Sequence, residues 1–362
     1  MRPGIVCLAF SFLNAYALAL YRFLCYSLPM TQCFISNTND PHLNLSFEHY
    51  LFSKVKPNER YLYLWRNSET VVIGKFQNPW SECNVEKMAE DKIKLMRRYS
   101  GGGAVFQDLG NLCFTLISGS DYDVEEQKSK NNDFIISTLN KFSIVAHASG
   151  RNDILVNERK ISGAAFQIQQ GNLMHHGTLL VNSDLSKLQL YLKPSKDKLE
   201  TKGIKSVRSR VANLQEFNSL LTVEGLIEQL RITYTERFSD FDSICYFNEN
   251  ILNTNPELKF EYENLISWDW LYGKTPAFTD AYKKRFPWGG IELLFTVHSG
   301  VVEDVVVYSD TLDNKLVDII KDTLVGVAFN NKNIAEQIKK RANSMDYSDT
   351  QNHLLDIISL FE

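Results

Sequence analysis

Alternating and continuous apolar runs divide most of the chain into short strands and a few amphipathic helices. YLYLWRN (61–67) and TVVIGKF (70–76) are rich in β-branched and aromatic residues. With only residues 68–69 between them, they predict a hairpin or close strand pair. KLMRRY (94–99) and LCFTLI (112–117) read as strands, as does GNLMHHGTLLV (171–181). DILVN (153–157) and KISGAAFQI (160–168) predict hairpin arms around residues 158–159. Helical spacing appears at 84–91 behind an Asn84 cap, at 132–142, at 184–192 and, most plainly, in TVEGLIEQLRITYTERF (222–238). The pattern loosens into Asn- and Asp-rich sequence near 240–260 and resumes with the strands GGIELLFTV and VVEDVVVYS and a helix near 314–325.

This order predicts an α+β fold: a large domain of mixed β-sheets flanked by helices over residues 30–250, and a smaller α+β domain over 251–362. No repeat or low-complexity tract interrupts it. Residues 1–29 stand apart. They hold Arg2 and Arg22 but no acid, and IVCLAFSFLNAYALALY is uncharged over 17 residues. A signal peptide, a membrane anchor, a presequence and a working start at Met30 all fit that pattern. We assign the stretch no part in the fold. It lacks the many arginines and serines of a transit peptide, so we expect a cytoplasmic protein, or a mitochondrial one if 1–29 is a presequence.

Composition changes little. In 362 residues, 44% hydrophobic and 23% charged content is ordinary for a globular chain. A net charge of −4 argues against a general nucleic-acid binder. Six scattered cysteines without a CxxC pair read as reduced thiols, and no HExxH motif is present. We expect a monomer with no stable membrane association.

Four stretches carry chemistry. In RRYSGGGAVFQDLGN (97–111), three glycines follow two arginines. Glycines let backbone N–H groups converge on an anion, and an arginine fork suits a phosphate. A tight structural corner would use the same residues. Arg97 and Arg98, neighbours on a strand, point to opposite faces, so only one should reach a site. Lys160 lies on an apolar-flanked strand and is either a solvated lysine or a point charge for a carboxylate or phosphate. Asp153 is either a turn residue or a Mg²⁺ ligand. Of His175 and His176, a strand turns only one towards any pocket. Cys113, within an apolar strand, reads as a small apolar residue. KPSKDKLETKGIKSVRSR (193–210) carries seven basic residues against two acids. It is either a solvated face or a basic flap over an anion.

Taken together, RRYSGGGAVFQDLGNLCFT, GRNDILVNERKISGAAF, HHGTLLVNSDLSKLQLYLKPSKDKLETKGIKSVRSRVANL and WDWLYGKTPAF…RFPWGGIELLF resemble the lipoate–protein ligase A family, in its order and over most of the chain from Met30. The resemblance implies a biotin/lipoate ligase-like fold and a two-step reaction. Lipoate and MgATP give lipoyl-AMP, which then acylates a lysine on the lipoyl domains of 2-oxoacid dehydrogenase E2 subunits or on glycine-cleavage H protein. It places Arg98 and the backbone of Gly103, Ala104, Val105 and Phe106 around the adenylate and lipoyl carbonyl, with Val105 and Phe106 along the acyl chain. Lys160 becomes the charge on the carboxyl and α-phosphate oxygens, and Asp153 the candidate for Mg²⁺. One departure is Gln107, where bacterial members often carry histidine. Gln107 can hydrogen-bond but cannot titrate. Rival readings are a lipoyltransferase using only preformed lipoyl-AMP or a protein-borne lipoyl group, an octanoyltransferase or biotin ligase, and a non-catalytic lipoyl-domain binder.

Overall fold

The structure is a computed structural model that describes residues 31–150, 152–193, 211–238, 241–272, 280–298 and 300–361. Residues 1–29 and nearly all of the basic stretch 193–210 therefore lie outside the described residues. The described strands are β1 (Thr31–Ser36), β2 (Arg60–Trp65), β3 (Thr70–Ile73), β4 (Lys94–Arg97), β5 (Val105–Gln107), β6 (Asn111–Ser118), β7 (His147–Ser149), β8 (Asp153–Val156), β9 (Arg159–Gln169), β10 (Asn172–Leu180), β11 (Phe241–Phe247), β12 (Asp280–Phe286), β13 (Gly289–His298) and β14 (Val301–Ser309).

Eight of them form one mixed sheet in the order β11-β1-β2-β6-β10-β9-β8-β7. β1 runs parallel to both β11 and β2, and the other pairs are antiparallel. β6 is buried along its whole length, which requires cover on both faces. Alternation divides its residues between two cores. Leu112, Phe114 and Leu116, with Leu62 and Leu64, meet Phe134, Ile135 and Leu139 of the helix Val124–Asn140 and Leu226, Leu230 and Tyr234 of the helix Val223–Arg237. Cys113 and Ile117, with Tyr61, Tyr63 and Trp65, meet Leu43, Phe47 and Leu51 of the helix Pro41–Lys54 and Leu258 and Leu265 of the helix Pro256–Leu265. This two-sided α+β architecture is the one the sequence implies.

Two three-stranded sheets flank it, β4-β3-β5 and β12-β13-β14. The second packs on the helices Asn314–Leu324, Asn331–Asn343 and Asp349–Ile357 through its own core, which includes Ile291, Phe295, Leu316, Ile320, Ile338 and Leu354. Among the described residues no helix is long and apolar enough to cross a membrane.

Several local expectations change. β2 and β3 do not pair. β2 sits between β1 and β6, whereas β3 pairs with β4 and β5. Between the two strands Asn67 is fully buried. Its Oδ1 accepts Asn44 Nδ2 at 3.0 Å and its Nδ2 donates to Gln107 at 2.8 Å, which anchors the crossover between sheets. The β8–β9 hairpin turns at Asn157–Glu158, one residue earlier than expected. Both residues have positive φ, 48° and 59°, as a two-residue primed turn requires. The loose stretch near 240–260 contains β11 and the helix Pro256–Leu265. Two of its asparagines are helix caps: Asn248 accepts from the Asn250 N–H and Asn255 from the Leu258 N–H.

Candidate active site

The glycine run connects β4 to β5, and buried arginine chemistry shapes it. Arg98 Nη2 donates to the carbonyls of Gly101 (2.7 Å) and Gly103 (2.9 Å), its Nε to Ser100 Oγ (3.1 Å) and Gly101 O (3.2 Å), and its Nη1 to Val72 O (3.3 Å). Burial brings its pKa down to about 10, and among the described residues no carboxylate hydrogen-bonds to it. Arg98 is therefore first a clamp on the loop's carbonyls. Arg97 points away, as strand alternation requires. It donates to the carbonyls of Gly74, Lys75, Gln77, Trp270 and Leu271.

With the carbonyls turned to Arg98, the loop amides face elsewhere. The Gly102 N–H donates to Thr311 O at 3.0 Å. Among the described residues, no hydrogen bond takes up the N–H of Gly103 or Ala104. Gly102 has φ 90°, and a Cβ there would stand 2.9 Å from Arg98 Nη2. A Cβ on Gly74 would meet Gly102 O at 2.2 Å, so two glycines make room for each other. Gly103 opens onto free space.

Lys160 sits on β9 with its ammonium 2.6 Å from Asp153 Oδ1 on β8. Both side chains are about a third exposed, at 37% and 34%. A Cβ at Gly163 would stand 2.8 Å from Lys160 Nζ, so that glycine gives the lysine its path across the strand. The backbone of Lys160 accepts the Ala212 N–H at 2.9 Å, where the chain returns to the sheet after the basic stretch.

These parts line one cleft of about 400 Å³. Arg98, Gly103, Ala104, Val105 and Lys160 are on its wall together with Leu45, Trp65 and Val72, as are Asn152, Gln107 and His176. Phe106 does not reach it. β5 alternates, and Phe106 is buried on the other face of its sheet with Val71, Ile73 and Met88, its ring 5.5 Å from Tyr191. Asp153 meets the cleft only through Lys160. Among the described residues no three His, Cys, Asp or Glu side chains group as a metal site. One carboxylate paired to a lysine does not make a protein-built Mg²⁺ site, and such a cation would draw most of its ligands from phosphates and water.

The histidines divide as the strand predicts. His176 faces the cleft; its Nδ1 lies 2.9 Å from Glu48 Oε1 and its Nε2 2.6 Å from Ser100 Oγ. His175 packs between Phe114 and Phe166 on the other face, and burial holds its pKa down to about 3. Cys113 is buried, and desolvation raises its thiol pKa far above the ordinary value, the opposite of a reactive thiolate. Cys33 and Cys83 are also free thiols. Sequence reading missed Glu48, Ser100 and the C-terminal contributors Arg285, Trp288, Asp310 and Leu312. Glu48 had one available signal, as the single acid of the helix Pro41–Lys54. Arg285 and Trp288 lie in the RFPWGGIELLF stretch already singled out, whereas Asp310 and Leu312 had no signal.

The cleft is built to hold a carboxyl group and an anion side by side, as an acid-activating ligase requires. The lipoyl protein ligase A/B catalytic domain family matches residues 40–234, and the bacterial lipoate protein ligase C-terminus family matches residues 275–361. Lipoate-protein ligase A of Psychrobacter cryohalolentis is 44% identical over 305 residues, 83% of this chain and 89% of that protein. The structure of P. falciparum LipL1 in complex with lipoate is 34% identical, with a TM-score of 0.78 over 91% of this chain and 98% of that one. A bipartite lipoate protein ligase from Thermoplasma acidophilum, 24% identical, shares the fold, with a TM-score of 0.60 over 70% of this chain and all of that one. The chain belongs to the lipoate–protein ligase A family.

Proposed function

We propose that this enzyme activates lipoate with ATP and transfers the lipoyl group to a lysine of an acceptor protein: the lipoyl domain of a 2-oxoacid dehydrogenase E2 subunit, or glycine-cleavage H protein. The observation that carries the reading is Lys160, held by Asp153 on the wall of the same cleft that the open Gly103 and Ala104 amides border. In the first step a carboxylate oxygen of lipoate attacks the α-phosphorus of ATP, and pyrophosphate leaves. Lys160 exchanges Asp153 for the carboxyl and α-phosphate oxygens and offsets their charge without forming a covalent bond. The loop amides take a phosphate oxygen, in the manner of a backbone nest. Leu45, Trp65, Val72 and Val105 supply the apolar wall for the acyl chain. In the second step the neutral acceptor amine attacks the carbonyl carbon, AMP leaves with the bonding pair, the nitrogen releases a proton to water, and an amide remains. The residues act by orientation and charge stabilisation. Mg²⁺, with Asp153 as its protein contact, would neutralise the phosphates.

Purified protein given lipoate, MgATP and an acceptor domain should add one lipoyl mass to the acceptor. Acceptor gain only from preformed lipoyl-AMP would replace this reading with the lipoyltransferase one. Lys160→Ala should cut pyrophosphate release by about 100-fold or more, the scale of one lost preorganised contact, at an unchanged Tm. Wild-type release by that variant would remove Lys160 from the mechanism. Cys113→Ser should retain activity, because a buried, protonated thiol carries no acyl group. Its inactivation with the fold intact would point to acyl transfer through cysteine.

A further inference from the structure

Glu48 lies on the helix Pro41–Lys54, only 3% exposed, and forms no part of the cleft wall. It sits within a hydrogen-bond chain that runs from Trp65 to Arg98. Trp65 Nε1 meets Thr115 Oγ1 at 3.3 Å, and Thr115 Oγ1 meets Glu48 Oε1 at 2.5 Å. The same Glu48 oxygen meets His176 Nδ1, His176 Nε2 meets Ser100 Oγ, and Arg98 Nε meets that Ser100 oxygen.

The chemistry of the ends sets the direction of every proton. An indole N–H only donates, so Thr115 accepts there and its own hydroxyl proton goes to Glu48. A carboxylate oxygen accepts, so His176 must carry its proton on Nδ1. In the neutral ring Nε2 is then bare and accepts the Ser100 O–H. Arg98 only donates, which agrees with the Ser100 oxygen receiving from it. Moving the His176 proton to Nε2 would send two donors into Ser100 Oγ. The Ser100 hydroxyl would then turn to Gly101 O, 3.4 Å away, where Arg98 already donates twice.

We propose that Glu48 is a positioning residue that fixes His176 as its Nδ1–H tautomer, so that Ser100 is drawn to the ring and the glycine loop is held in its anion-receiving shape. The order serine, histidine, carboxylate is also that of a nucleophilic triad. Here Ser100 is fully buried, is not on the cleft wall, and already accepts from Arg98, so the relay acts on the loop and not on the acyl carbon. The inference rests on the proposed adenylation reaction for its kinetic consequence only.

Three measurements test it. Nitrogen-15 NMR of labelled wild-type protein should show His176 protonated at Nδ1 and bare at Nε2; the reverse tautomer overturns the proposal whatever the enzyme's activity. Glu48→Met keeps bulk but removes the acceptor, and should lower kcat/KM for lipoate-dependent pyrophosphate release by about 10-fold or more, the range for groups that orient a ligating histidine. Glu48→Gln, which keeps an acceptor oxygen, should restore most of that loss together with the wild-type tautomer. Equal losses in both variants, or none in Glu48→Met, would refute an acceptor role. Ser100→Ala should match Glu48→Met, and the double variant should be no worse than either single one; additive losses would uncouple the two residues. A lipoyl mass gain on the enzyme itself that Ser100→Ala abolishes would establish the nucleophile instead. A wild-type protein that releases no pyrophosphate would defeat the adenylation reading and leave the tautomer measurement to decide this one.

Discussion

Gly163 and Gly74 show how the same chemical change has opposite consequences. A methyl at Gly163 meets the tip of Lys160, which is flexible. Gly163→Ala should therefore fold with a Tm within about 3 °C of wild type, as ordinary partly exposed substitutions do. It should lose activity because the lysine is pushed off line; a fully active variant would show that Lys160 needs no such path. A methyl at Gly74 meets the backbone oxygen of Gly102, which cannot step aside. Gly74→Ala should cost about 2 kcal/mol or more in a denaturant titration, on the scale of core overpacking. At this scale the sequence was informative where residue type dictates chemistry. A glycine run beside arginines and an isolated strand lysine announced themselves, and both line the cleft. It failed where direction mattered. Phe106 was placed with Val105 although adjacent strand residues face opposite ways, and the clamp that Arg98 keeps on the loop carbonyls left no mark in the sequence.

Elements were legible wherever one period dominated. The helix Val223–Arg237 and strand β10 nearly coincide with their apolar patterns. β11 was illegible because it is an edge strand, half-buried or exposed over residues 243–247 and followed by asparagines that cap helices. The failed β2–β3 pairing has a similar cause: adjacency in sequence was taken for adjacency in a sheet, while a buried asparagine carried the chain from one sheet to another. Arg97 belongs to this scale too, because it joins the 74–77 turn to the helix Trp268–Tyr272. Arg97→Met would remove the guanidinium from the carbonyls of Lys75, Gln77, Trp270 and Leu271, while Gly74 O keeps the Gln77 N–H. Chemical denaturation should register a loss of about 3 kcal/mol or more, since each stranded buried acceptor costs on the order of 1 kcal/mol. A loss below 1 kcal/mol would mean that water replaces the guanidinium.

Over the whole molecule, the β12–β14 unit leans on the glycine loop. Thr311 O takes the Gly102 N–H, Ser309 N donates to Phe76 O at 2.7 Å, and Arg285, Trp288, Asp310 and Leu312 complete the cleft. A Cβ on Gly101 would come 2.0 Å from Thr311 O. Gly101→Ala should loosen this contact and raise the radius of gyration in solution scattering while the circular dichroism stays native. An unchanged radius would show that the loop, not the unit, gives way. Nothing in the local pattern could foretell the contact, which joins residues far apart in sequence. It also sets an order on biosynthesis. A nascent chain that has left the ribosome only as far as β11 has its glycine run and Lys160 translated, but not yet Arg285, Trp288, Asp310 and Leu312. The pocket is completed last, and until then the Gly103 and Ala104 amides stand open to whatever polyanion the translating ribosome brings near.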